Sequence, residues 1–265
     1  MQRQRLRRAE PLGRSDDHGP TPRRSISATR WVAGTLGAAA GVYAACVGWT
    51  WWRYGKTSRA DRKPSDVLLD RFMPEFDVIE RHDVPVAAPA DITLAAAAEQ
   101  DLMRLPVIQA IFRMRARALG GNSAPPPPEH GLLAQVRALG WGVLAEVPDR
   151  EIVLGAVTKP WEAQVRFHAV EPSAFAAYNE PGFVKIAWTL RADPIGPGAS
   201  LFRTETRAVA TDNESRRRFR NYWAFVMPGT WLIRRLSLGP LKREAERRAA
   251  PKTKASSERS EPGSP

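Results

Sequence analysis

At 265 residues and 43% hydrophobic content the chain can hold one sizeable core, and 23 prolines with polar ends argue for one domain between tails. The formal charge of +12 would suggest a nucleic-acid partner, but the excess sits at the ends. Residues 1–30 hold 8 Arg against 3 acids, residues from Asp212 onward hold 13 Lys/Arg against 6, and Asp66 to Thr211 carries 18 acids against 14 bases. That balance argues against a nucleic-acid groove on the domain and leaves the basic ends as solvated or membrane-adjacent tails.

Residues 1–30 read as a disordered basic tail. The next segment, "WVAGTLGAAAGVYAACVGWTWW" at 31–52, is 22 residues without a charge, long enough for one transmembrane helix. Trp31 marks one end and Trp49, Trp51 and Trp52 the other, where indole rings prefer the headgroup level. The competing reading is a removed signal, on "RRSIS" from Arg23 and "YAAC" ending at Cys46. Tyr43 stands where a lipoprotein site has an aliphatic residue, and the run stays apolar after Cys46, so an uncleaved single-pass anchor fits better. Arg14, Arg23, Arg24 and Arg30 precede it, and Arg53, Lys56, Arg59, Arg62 and Lys63 follow, so no orientation emerges. Cys46 is the single cysteine, which rules out an intrachain disulfide.

Residues 53–71 read as a polar linker, and 72–248 as the folded domain. From Phe76, "FDVIERHDVPVAAPAD" predicts a first strand, and Asp91 starts a helix. "DITLAAAAEQDLMRL" and "PVIQAIFRMRARAL" give a helix pair, with Pro106 at the first turn of the second. A loop follows from Gly120, stiffened by four prolines. "GWGVLAEV" and "REIVLGAVT" flank a turn at Pro148 and Asp149. "FVKIAWTLRAD" places Val184, Ile186, Trp188 and Leu190 on one face and Lys185, Thr189 and Arg191 on the other. "SLFRTETRAVA" pairs with it, with Phe202, Thr204, Thr206 and Ala208 on one face and Arg203, Glu205 and Arg207 on the other, the charges being expected in water.

"TDNE" at 211–214 predicts a capping box, with Thr211 as the cap of a long helix. Phe219, Tyr222, Trp223 and Val226 share one helical face, opposite Arg217, Arg220 and Asn221. The uncharged run Asn221–Ile233 is 13 residues, too short to span a bilayer. Pro228 predicts a bend, and Gly239 with Pro240 a second break. Residues 249–265 are too polar to fold.

Four segments carry a family resemblance: "HDVPVAAPAD" (82–91), "EVPDREIVLG" (146–155), "ETRAVATD" (205–212) and "FRNYWAFVMPGTWLIRRLSLGPLKREAE" (219–246). Together with the element order they resemble the START-like (SRPBCC, helix-grip) superfamily of polyketide cyclases, pollen-allergen-type proteins and lipid-transfer domains, and the last three resemble a bacterial branch of it. The resemblance runs from about Phe72 to Glu246 and implies an α+β helix-grip fold, a curved antiparallel sheet around a long C-terminal helix with a cavity between them.

The cavity lining expected on this reading is Ile186, Trp188, Phe202, Thr204, Trp223 and Val226, positions whose chemistry would equally suit a filled core. No catalytic constellation, metal set or cofactor fingerprint stands out. His82 and His168 read as ordinary histidines, Glu146, Asp149 and Glu151 as solvated turn charges, and Glu205 with Arg203 and Arg207 as an outer-face salt ladder. The sequence therefore suggests a membrane-anchored binder of a hydrophobic small molecule or lipid; a cyclase- or hydrolase-type enzyme and a ligand-free interaction module are the alternatives.

Overall fold

A computed structural model describes residues 25–56, 66–102, 105–121 and 129–250. The N-terminal tail up to residue 24, linker residues 57–65, polyproline residues 122–128 and the tail from 251 lie outside the described residues. Helix α1 (Ser25–Arg53) begins earlier than its apolar run, and its Trp31–Arg53 part is long and apolar enough to cross a membrane. Up to Val42 the chain is a unit by itself, with Trp31, Val32 and Val42 exposed.

The second unit starts at Tyr43 and holds every strand described. The strands are β1 (Val78–Val86), β2 (Gly142–Val147), β3 (Glu151–Thr158), β4 (Phe167–His168), β5 (Val184–Gly196) and β6 (Ala199–Ala210). They form one antiparallel sheet in the order β1-β6-β5-β3-β2, with β4 paired to β3. Asp149 takes φ 61° in the turn between β2 and β3, a conformation that Asp tolerates better than bulkier residues. Helices α3 (Ala90–Glu99), α4 (Pro106–Ala118) and α7 (Asn213–Ala249) were anticipated, with Pro106 in the first turn of α4, where its missing N–H is harmless. With the curved sheet and the 37-residue α7, the chain has the helix-grip fold.

Three short helices were not anticipated: α2 (Val67–Phe72), α5 (Leu132–Ala138) and α6 (Pro172–Phe175). Of these, α2 lies within the stretch read as linker. Asp66 caps it, its Oδ1 accepting from Leu69 N at 3.0 Å, and Leu69 is fully buried against the sheet. At the start of α7 the cap is Asp212, one residue later than expected. Its carboxylate accepts from Ser215 N at 2.9 Å, from Ser215 Oγ at 2.7 Å and from Gly182 N at 2.6 Å, while Thr211 Oγ1 is engaged with Phe183. The helix then runs unbroken through Pro228 and Gly239–Pro240. Each proline removes one backbone donor, and burial of Phe219 before them and of Leu241 and Ala245 beyond holds the helix against that local loss.

The core has three parts. Near one end of α7, Phe219 packs with Val78, Val184, Ala208 and Ala210; near the other, Leu241 and Ala245 pack with α3, Phe202, Leu190 and Leu154. The third lies across the sheet, where Leu69, Met73, Phe76 and Phe175 cover Val153 and Ala187. This third cluster corrects the expectation of a solvated outer face. Glu205 is 0% exposed and Arg207 1%, with Asp70 of α2 and the Met73 carbonyl just beyond it closing over Arg207. Arg207 bonds Glu205 Oε1 at 2.7 Å, Asp70 Oδ1 at 2.5 Å and Met73 O at 2.8 Å, and Arg81 Nε reaches Glu205 Oε2 at 2.6 Å. The charges that alternate along β6 are therefore a buried ionic lattice.

Candidate functional site

Between the two packed ends of α7 the helix and the sheet are parted, with Arg234 bridging them. A cavity of about 390 Å³ lies there, and Ile186, Trp188, Phe202, Thr204, Trp223 and Val226 all line it. Phe202 is buried at its edge, but Ile186, Trp188, Trp223 and Val226 keep intermediate exposure although they face the helix-covered side, because the space beside them is empty. Helix α4 closes one flank through Ile111 and Arg115. Gly229 permits that approach, since a Cβ there would lie 3.1 Å from Ile111 Cγ2. Four lining residues, Tyr43, Phe112, Met114 and Phe225, are also exposed, and they mark the mouth.

The wall is mostly apolar, with Arg115, bonded to Tyr222 Oη at 3.1 Å and Pro160 O at 2.9 Å, on the α4 flank and a second polar cluster around Arg234. Arg234 projects from α7 with its side chain 15% exposed, donating from Nη1 to Thr204 Oγ1 at 3.2 Å and from Nη2 to Thr206 Oγ1. Thr204 Oγ1 also accepts from Trp188 Nε1 at 2.6 Å, and the guanidinium lies 5.5 Å from the Trp188 ring centre. Behind it, Glu80 Oε2 stands 3.4 Å from Arg234 Nε without a hydrogen bond, and Glu80 Oε1 is 3.1 Å from His82 Nε2. Burial pulls the Arg234 guanidinium below its usual range, and the Glu80 charge opposes that pull. Glu80 and His82 front a separate recess of about 350 Å³ that shares Trp223 with the cavity. The sequence reading passed over Arg234. The signal was its phase: eleven residues after Trp223 at 100° each brings it back to within about 20° of the same face.

The other candidates lie elsewhere. His168 is on β4 with its ring edge-on to Phe183, and Glu146 and Asp149 are exposed around the β2–β3 turn. Glu151 departs from that description, being 4% exposed on the face opposite the cavity. It accepts from Thr189 Oγ1 at 3.1 Å, lies 3.7 Å from Arg191 Nη1 and shares its surroundings with the buried carboxylate of Asp66. Burial and then Asp66 push its pKa up to about 7, against the pull of Arg191. Among the described residues no three His, Cys, Asp or Glu gather as a metal would need.

No family model matches the chain, and no curated protein matches it. Solved structures that resemble it include a norcoclaurine synthase from Thalictrum flavum, solved with a transition-state analogue (10% identity, 65% of this chain and 96% of that one, TM-score 0.31). Others are the Zhui aromatase/cyclase of a Streptomyces species (16%, 66% and 96%, 0.25) and the di-domain aromatase/cyclase BexL (18%, 64% and 46%, 0.26). Likenesses this distant add no weight to the topology described above.

Proposed function

We propose that this chain is a membrane-anchored START-like protein that binds a hydrophobic small molecule or lipid in the cavity between the sheet and α7. The observation that carries the reading is an apolar void of about 390 Å³ under the middle of a helix whose two ends are fully packed, a volume within the range of ligand pockets. The lining Ile186, Trp188, Phe202, Thr204, Trp223 and Val226 forms the binding surface, and α1 supplies the anchor through Trp31–Arg53. On this reading residues 72–248 act as the binding domain, with α2 packed on it as an N-terminal extension.

The test has two arms. Full-length protein should stay with membranes through alkaline and high-salt washes, since about 20 apolar residues in a bilayer hold more firmly than surface charge; release by salt alone would remove the anchor. In detergent, a panel of fatty acids, isoprenoids and polycyclic aromatics should include a compound that raises the melting temperature, as linkage requires of a ligand bound only to the folded state. A flat response across the panel would favour an interaction module. One observation supports the enzyme as a second reading: Arg234, Glu80 and His82 form a charged line that reaches the cavity wall, and turnover of a panel compound would bring it forward.

A further inference from the structure

Resting on that binding reading, we propose that Arg234, Thr204 and Thr206 recognise one neutral oxygen acceptor, a carbonyl oxygen first of all, on an otherwise apolar ligand. The inference comes from hydrogen-bond accounting at the polar cluster around Arg234. Thr204 Oγ1 already accepts two N–H groups, from Trp188 and Arg234, and Thr206 Oγ1 accepts one from Arg234. Neither hydroxyl proton has an acceptor among the described residues. Arg234 uses one N–H on each terminal nitrogen, and its Nε has no hydrogen-bond partner. The cluster thus holds two hydroxyl protons without an acceptor beside a mostly apolar space, against one remaining acceptor position on Thr206 Oγ1. Buried donors without acceptors are costly, and a ligand oxygen relieves that cost.

Charge decides which kind of oxygen. Glu80 stands 3.4 Å from Arg234 Nε and already balances the guanidinium, while facing the neighbouring recess and not the cavity. At Arg234 a carboxylate would place a second buried anion beside one cation, whereas a ketone, ester or quinone-type oxygen takes the donors and leaves the pair neutral; the other guanidinium of the wall, Arg115, is already held by Tyr222 Oη and Pro160 O.

The experiment uses the full chain in nanodiscs with a matched long-chain set: a methyl ketone labelled with ¹³C at the carbonyl, the alkane of equal carbon number and the corresponding carboxylic acid. Each competes with a fluorescent apolar probe, with empty nanodiscs as the blank, and isotope-edited infrared spectra report the bound carbonyl. The expected result is that the ketone displaces the probe roughly tenfold better than the alkane, the difference that hydrogen bonds to a charged donor make. It should also outcompete the acid at pH 8 and show a saturable band shifted to lower frequency. Arg234→Met should abolish the shift and the preference while the alkane still competes. Thr204→Val/Thr206→Val, which keeps shape and cation, should weaken both if Arg234→Met does not fold. Equal competition by ketone and alkane with no shifted band would overturn this inference and leave the cavity reading standing. Tighter binding of the acid would overturn the neutral assignment. If neither ketone nor alkane displaces the probe, the cavity reading itself fails, and this inference with it.

Discussion

A single step along β6 separates an empty volume from a filled ionic lattice. Thr204 and Thr206 face the cavity, whereas Glu205 and Arg207, alternating with them, are enclosed beneath α2. Charges on the filled face are paired with opposite charges within the protein, Arg207 with Glu205 and Asp70 and Arg191 with Asp193 at 2.8 Å, although Asp66 Oδ2, Arg81 Nη2 and Arg203 Nε there make no hydrogen bond. On the hollow face Thr204 and Thr206 accept from Arg234 but their hydroxyl protons have no acceptor among the described residues, and Arg234 Nε stands 3.4 Å from Glu80 Oε2. The difference teaches that burial alone does not mark a site. What marks the cavity is an unfilled volume with a mostly apolar wall, beside which hydroxyl donors lack acceptors.

The contrast can be broken most forcefully on the filled face. Arg207→Met leaves Glu205 and Asp70 without their shared cation, and should cost about 3–5 kcal/mol in denaturant unfolding of the full-length protein. A cost below about 1 kcal/mol would mean that water reaches the lattice. Along α7 the contrast sharpens between a packed end and the hollow middle. Phe219, 1% exposed, should cost about 3–5 kcal/mol on truncation to alanine. Trp223→Ala should cost about half as much, because part of its ring already borders empty space. Equal losses would mean that the cavity collapses around Trp223.

How much of this was legible depends on the kind of signal. The cavity faces of β5 and β6 were readable, because Ile186/Trp188 alternate with Lys185, Ala187 and Thr189, and Phe202/Thr204 with Arg203 and Glu205, at the strand period. The same alternation misled for the opposite face, since Arg203-x-Glu205-x-Arg207 has one pattern whether it meets water or other charges. The cover that decides, α2, is a six-residue helix in a stretch whose composition reads as linker. Arg234 was hidden for a related reason: beside Arg235 it looks like the solvated flank of a helix, and only its phase with Trp223 places it inside. That Thr204 would have Arg234 as a neighbour was beyond sequence reasoning, because thirty residues separate them.

Two smaller effects refine the comparison. Ala187, on the strand face away from the cavity, is 0% exposed between Leu144, Val153 and Phe175, so Ala187→Leu should overpack that cluster and cost about 1–3 kcal/mol. It should leave probe binding in the cavity unchanged. Glu151 gives the filled face a pH dependence. Its folded-state pKa of about 7 lies above the usual 4.5, so the folded form holds the extra proton. The contribution is fully present below pH 4.5 and is lost as pH rises through about 7. Glu151→Gln should flatten the melting temperature across that window, and an unchanged pH profile would place the titration on another group.

The most direct measurement is mass spectrometry of the small molecules that remain with the protein extracted in detergent from the cells that make it, beside Thr204→Trp purified in the same way. An indole at position 204 should fill the space between β6 and α7 while the protein still melts cooperatively. The expected result is one class of apolar, carbonyl-bearing compound held near one per chain by the original protein and lost from the variant. Equal amounts of the same compounds in both, tracking only the detergent and lipid carried along, would contradict a ligand cavity under α7.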